Sequence, residues 1–234
     1  MVEEATWVDI KARLQAGATA LLPVGAACQE QGEHLPMATD RIQADWLARS
    51  LVRHANVVVW PTLSYGYYPA FVRYPGSISL ARETFVRLAR DVLRGILWSG
   101  PCQVLVVNTG ISTIAPLEEA IRSLRNQGRL TLVNAYEGPC FRRVVAELEE
   151  QRCGSHADEI ETSIMLVIAP ERVRMGRAVA WDANRLQGAF SPDDPTSVGY
   201  SPSGVYGDPT RANGAKGRRL LAAMFSDILK QLSG

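Results

Sequence analysis

Between Leu21 and Asp40 an apolar run empties into a loop dense in polar side chains: Cys28, Gln29, Glu30, Gln31, Glu33, His34 and finally Asp40. Carboxyl and imidazole groups move protons and a thiol attacks carbon, so this stretch carries the means for acid/base or nucleophilic chemistry. Its position suits a site. Leu21 to Val24 reads as a buried strand closed by Gly25, and ligand crevices of open α/β sheets lie beyond the carboxyl ends of strands. The chain has only three histidines, His34, His54 and His156, and His54 falls at a helix end, where a surface role is the default. Cys28 is a possible nucleophile, but a free cysteine beside a strand is ordinarily an inert small hydrophobe.

The elements that must position these groups alternate along the chain. Thr6 and Asp9 mark a helix start, with Trp7, Ile10 and Leu14 on one face as far as Gly17. Asp40 can cap a second helix carrying Ile42, Trp46, Leu47 and Leu51. Val57–Trp60, Val104–Val107 and Leu130–Val133 read as further buried strands. Helices are expected over Ser79–Ser99, from about Pro116 to Asn126, around Phe141–Gln151, within His156–Ala169 and over Lys216–Leu232. Alternation of this kind predicts a parallel sheet covered by helices. Two segments stand apart: Pro61–Ser79, a loop with Tyr65, Tyr67, Tyr68, Phe71 and Tyr74, and Asp182–Gly214, rich in Pro, Gly, Ser and Asp. Loops of that length in a compact domain usually serve function or an interface.

Composition narrows the function classes. The 234 residues fit one domain, 1–234; 47% are apolar and 21% charged, with a net charge of +1. That balance gives no reason to expect nucleic acid or a membrane surface as partner. There is no secretory-type leader and no apolar run of the roughly 20 residues needed to span a bilayer, so a cytoplasmic location is expected. Cys28, Cys102, Cys140 and Cys153 lack Cys-x-x-Cys spacing, and they are expected to be free thiols, mostly in the core.

The Gln29–Asp40 stretch resembles the creatininase (creatinine amidohydrolase) family, whose pattern Glu-Gln-His-Gly-Pro-His-Leu-Pro, followed four residues later by Asp, is matched here at Gly32, His34, Leu35, Pro36 and Asp40. Further blocks follow in order. Tyr74-Pro75-Gly76-Ser77 is similar to the family's Phe-Pro-Gly-Thr, His156–Ser163 to its His-Ala-Gly-x-x-Glu-Thr-Ser, and Gly204–Pro209 with Lys216-Gly217 to its Gly-Val-x-Gly-Asp-Pro segment.

The resemblance implies a three-layer α/β/α sandwich, commonly a hexamer, in which two divalent metals activate water against a cyclic amide or formamide. Carried over by position, the ligand set would be Gln29, Gln31, Asp40, Gly110 and, in members that use it, Glu161. Gln29 replaces Glu, Gln31 replaces His, and Gly110 in Asn108-Thr109-Gly110-Ile111-Ser112-Thr113 replaces His. Neutral amides bind transition metals poorly and glycine has no side chain, so no metal and no cofactor are expected. His156 matches the family's proton-transfer residue. With Asp40, Glu161 and His34 it makes the expected catalytic group, while Gln29, Gln31, Glu30, Tyr68, Phe71, Asn108 and Ser112 are expected to contact substrate. Glu30 follows a ligand position and should point away from the ligand side if its backbone is extended. Tyr67, Tyr68 and Phe71 line an apolar pocket or pack against a neighbouring subunit. The expected function is acid/base chemistry on a small cyclic amide or related heterocycle, as hydrolysis or the reverse cyclisation, in a homo-oligomer. The alternative is a non-catalytic relative that binds a ligand or serves as a structural subunit.

Overall fold

Short runs of Val and Leu, each bounded by a turn, form the centre of the molecule. In the computed structural model, which describes residues 1–181, 194–196 and 199–232, strands β1 (Thr19–Val24), β2 (Val57–Val59), β3 (Val104–Asn108) and β4 (Leu130–Asn134) make a parallel sheet in the order β2-β1-β3-β4. Side chains alternate between the faces. Leu21, Val57, Val59, Leu105 and Val107 enter one core, and Ala20, Leu22, Val24, Val104 and Val106 enter the other. Both faces are covered, which is why the runs are continuously apolar rather than alternating.

Helices α2 (Thr39–Val52), α5 (Pro139–Leu148), α6 (Glu159–Ile168) and α7 (Gly214–Leu232) contribute to the first core. Helices α3 (Arg82–Trp98) and α4 (Ile114–Ser123) fill the second. Helix α1 (Trp7–Gln15) closes the β2 side and starts with the expected capping box between Thr6 and Asp9. Trp7, however, is exposed, while Ile10 and Leu14 pack on Val58 and Arg13 donates to the Val57 carbonyl at 2.8 Å. The result is the expected α/β/α sandwich. Among the described residues no helix is long and apolar enough to cross a membrane. Of the long segment expected over 182–214, residues 182–193, 197 and 198 lie outside the described residues.

Several local expectations are corrected. Helix α2 is entered through Ala38, and Asp40 lies in its first turn with no capping bond to make, free to turn its carboxyl elsewhere. The helix expected within His156–Ala169 is found there as Glu159–Ile168, and Asp158 caps it by accepting from the backbone N–H groups of Ile160 and Glu161. No cysteine is fully buried: Cys102 is exposed and the other three are intermediate. Tyr67 packs into the α3/α4 core rather than lining a pocket.

Helix α6 also anchors α7. Glu159 is completely buried and accepts from the N–H groups of Glu150 (2.9 Å) and Gln151 (2.7 Å). Its other oxygen takes Lys216 Nζ at 2.5 Å, and that ammonium also reaches Glu150 at 2.9 Å and the Arg211 carbonyl at 3.1 Å. Every donor of the lysine is used, and the buried carboxylate has its counter-charge.

Candidate active site

The parallel register brings Val24, Asn108 and Asn134 into one row at the carboxyl edge of the sheet. Beyond that row lies a cavity of about 740 Å³ lined by Gln29, Asp40, Tyr68, Phe71, Ser112, His156 and Glu161 among others. Its remaining wall is largely apolar, with Ala70, Ile111, Phe141, Val145, Ala146 and Ile160, and Arg142 and Glu149 join the lining from α5 and its end. The volume is within the range of drug-sized ligand pockets, about 300–1,000 Å³, and well beyond a single small ring.

Two carboxyls face each other in this cavity. Asp40, from the first turn of α2, and Glu161, from the first turn of α6, share a hydrogen bond. Burial and then the Glu161 charge hold Asp40 well above the ordinary carboxylate range. Burial raises Glu161 as well, with nearby His156 acting against the rise. Two such groups in contact cannot both ionise readily, so they hold a proton between them. The pair is fixed from outside: Gln31 Nε2 donates to Asp40 at 3.3 Å, the Ala157 N–H to Glu161 at 2.9 Å, and Gln43 Nε2 to Glu161 at 3.4 Å. Tyr136 in turn donates its hydroxyl to Gln43 Oε1.

His156 is held on three sides. Its backbone bridges Tyr206, with the Tyr206 N–H donating to the His156 carbonyl at 2.9 Å, so the Gly204–Pro209 block pins the imidazole in place. Phe71 stacks on the ring with centroids 4.0 Å apart and planes at 18°. Nε2 meets the Glu30 carbonyl at 2.8 Å and the Glu30 carboxylate at 3.1 Å, which makes Nε2 the protonated nitrogen. Burial works against the imidazolium, but Glu30, then Glu161 and Asp40, outweigh it and raise the pKa. Strain collects here: Phe71 and Ala157 have φ of 70° and 49°, and non-glycine residues enter that region at a cost that the surroundings must cover.

Glu30 does point away from the cavity, but to His156. Its carboxylate also accepts from the Gly32 N–H and fills the space that a Cβ at Gly204 would need. With φ of +76°, Gly204 is doubly restricted to glycine. Glu30 and Gln31, expected as substrate contacts, thus stand behind His156 and Asp40 rather than on the cavity wall. Asn108, the last residue of β3, is likewise buried, donating to the Gly110 carbonyl at 2.6 Å and to Asn134 at 3.1 Å. His34, expected in the catalytic group, lies off the cavity with Nε2 2.8 Å from Thr162 Oγ1. Burial, with the charge of His156, pushes it down to about 4, so it is a neutral structural imidazole at physiological pH. Gln43 and Tyr136 were not among the expected residues. Gln43 stands three positions after Asp40 on the same helix, a spacing that places both on one face.

The donors at the family's metal-ligand positions do not suit two transition metals. Gln29 and Gln31 are neutral, Gly110 offers nothing, and Asp40 and Glu161 already accept from the amides of Gln31 and Gln43. Among the described residues no three His, Cys, Asp or Glu side chains are grouped to hold a metal ion.

Comparison with known proteins bears on what the cavity is for. The model of the creatinine amidohydrolase family matches residues 3–232. The mycofactocin precursor peptide peptidase of Mycobacterium tuberculosis (strain ATCC 25618 / H37Rv) is 28% identical over 228 residues, covering 91% of this chain and 84% of that protein. The creatinine amidohydrolase of Pseudomonas putida is 26% identical over 248 residues, covering 97% and 94%. A crystal structure of creatinine amidohydrolase (creatininase) superposes with a TM-score of 0.85 at 24% identity, over 99% of this chain and 96% of that one. With a family match over nearly its whole length, this chain belongs to the creatininase family of amidohydrolases.

Proposed function

We propose that the protein hydrolyses an amide without the family's dinuclear metal centre, using the Asp40–Glu161 pair and His156. The observation that carries this reading is that three buried titratable groups, two of them sharing a hydrogen bond, line one cavity. The ionised member of the pair takes a proton from water as the water oxygen bonds to the carbonyl carbon. His156, protonated and oriented by Glu30, gives its proton to the leaving nitrogen as the C–N bond breaks, and the carboxyl pair returns a proton to His156. One amide and one water give one acid and one amine. By microscopic reversibility the same groups close a ring with loss of water.

A cyclic amide bearing a bulky apolar substituent, or a peptide segment, suits the cavity's size and its apolar wall. The peptide peptidase relative supports the larger substrate, and the creatinine amidohydrolase relative the cyclic one. A second reading is favoured by the amide donors already bonded to both carboxyls: a ligand-binding site that performs no turnover.

The test is amide hydrolysis by protein purified without chelator. Activity should survive EDTA unchanged, and His156→Asn should lower turnover by about 10²-fold or more without altering the fold. Loss of activity on chelation, restored by zinc or manganese, would overturn metal independence. A homo-oligomer is part of the same reading: Tyr65, Val72 and Ile78 expose apolar surface on the aromatic loop. Light scattering that shows a monomer at micromolar concentration would count against it.

A further inference from the structure

We propose that Arg142 receives a carboxylate of the substrate, so that the cavity takes amides carrying one acid group and sets that group at the start of α5. The inference rests on the amide-hydrolysing reading and names its substrate class.

Helix α5 lays one face along the cavity. Arg142, Val145, Ala146 and Glu149 all line it, at the i, i+3, i+4 and i+7 spacing of a single helical stripe. Seven residues of helix separate the two charges by about 10 Å, with apolar side chains between them. Both charges have the sign that a helix disfavours at that place. Arg142 is the fourth residue of α5 and Glu149 closes it, with no acid in the first turn and no base in the last, whereas the helix dipole favours acid at the start and base at the end. Helix stability does not account for these two residues; their shared face on the cavity does.

The guanidinium of Arg142 is not spent on the protein. It makes no hydrogen bond among the described residues, and the carboxylate nearest to it, Glu137 Oε1 at 3.9 Å, is out of hydrogen-bond reach. Glu137 instead accepts from Asn134 Nδ2 at 2.9 Å. The Arg142 side chain is 67% exposed, so its N–H donors are open to a ligand. Of the described residues around the cavity it is also the one whose positive charge does not depend on pH.

The far end of the stripe has the opposite character. Gln151 Nε2 donates to Glu149 Oε1 at 2.8 Å and to Asp158 Oδ2 at 2.9 Å, tying together two carboxyl groups, the second only two residues from His156. An acid group on a ligand is drawn to Arg142 and turned away from Glu149, so the charges fix which way round an amide lies. The planar fork of the arginine matches a carboxylate with two parallel N–H bonds. One cation balances one negative charge, which favours a carboxylate over a phosphate, whose charge approaches two. Arg142 is thus a specificity residue.

The test uses two matched pairs of probes: N-benzoylglycine against N-benzoylglycinamide, and pyroglutamate against pyroglutamamide. Binding is followed by NMR titration of the full chain at low ionic strength. The wild type should bind the carboxylate member of at least one pair about tenfold more tightly; which pair does so separates a chain amide from a ring. Arg142→Gln should abolish the preference by weakening the carboxylate member alone, and Arg142→Glu should reverse it. Equal affinity within both pairs in the wild type overturns the inference without recourse to any variant. Failure of all four probes to bind overturns it too, as does a preference that survives Arg142→Gln, which would put the carboxylate elsewhere. Discrimination without hydrolysis would leave this recognition standing and sink the hydrolase reading; hydrolysis without discrimination would do the reverse.

Discussion

Glu159 and Glu161 are two residues apart on α6, and because each helical residue turns about 100°, their side chains leave the helix on nearly opposite sides. Both are buried carboxyls, yet they live in different electrostatic surroundings. Glu159 faces Lys216 and two backbone N–H groups, a complete set of partners. Glu161 faces another carboxyl, with an imidazole as the cation in reach. The first arrangement holds three segments of chain together. The second sets two carboxyls and an imidazole beside one another on the cavity. Burial of charge alone does not separate scaffold from chemistry; the identity of the counter-charge does.

Removing the counter-charge should break the scaffold side of this comparison most severely. Lys216→Met leaves Glu159 buried and unpaired, and denaturant unfolding should report a loss of about 3–5 kcal/mol. A loss under 1 kcal/mol would make the two carboxyls equivalent and erase the distinction.

On the cavity side the expected effects fall on function. Glu30→Gln keeps the shape beside His156 and removes the charge, so turnover should drop about tenfold, the scale of a charge-assisted hydrogen bond. Since Glu30 helps raise the His156 pKa, the imidazolium should also be lost at lower pH, moving the alkaline limb of the pH–rate profile downward. An unmoved limb would show that Glu30 only packs.

The smallest effect sharpens the contrast by its sign. Both Asp40 and Glu161 have folded pKa values raised above their ordinary ones, so the folded state retains protons that the unfolded chain releases. The contribution of this pair to stability is then greatest at low pH and falls as pH rises from about 4 through the raised values. Glu161→Gln removes one of the two titrating groups. It should raise Tm roughly 2–4 °C at pH 8, about 1 kcal/mol for a chain of this size, with no gain near pH 4. A lower Tm at pH 8 would mean that the pair stabilises the fold as Glu159 does.

The strands and their order of burial were readable because a short apolar run between turn signals has few other fates. Asp40, His156 and Glu161 were readable through motif blocks. What contacts them was not. Glu30 and His156 are 126 positions apart, and nothing local in either segment announces the other. Asp40 was misread as a cap because an acidic residue at a helix start fits that role on local grounds, whereas its carboxyl is committed to a partner 121 residues away. His34 and His156 both fall in motif blocks and both were expected in the catalytic group; only the fold shows one imidazole on the cavity and the other against Thr162. Gln43 alone could have been found, from its helical spacing to Asp40.

Gly204 puts the cavity under remote control. The Glu30 carboxylate occupies the space of any side chain there, so an alanine at that position evicts the group that steers His156 and leaves the cavity wall unchanged. A glycine codon is a single base change from an alanine codon. In terms of heredity, one transversion at a residue outside the cavity lining is enough to take Glu30 from His156, and a survey confined to that lining would score the resulting protein as intact.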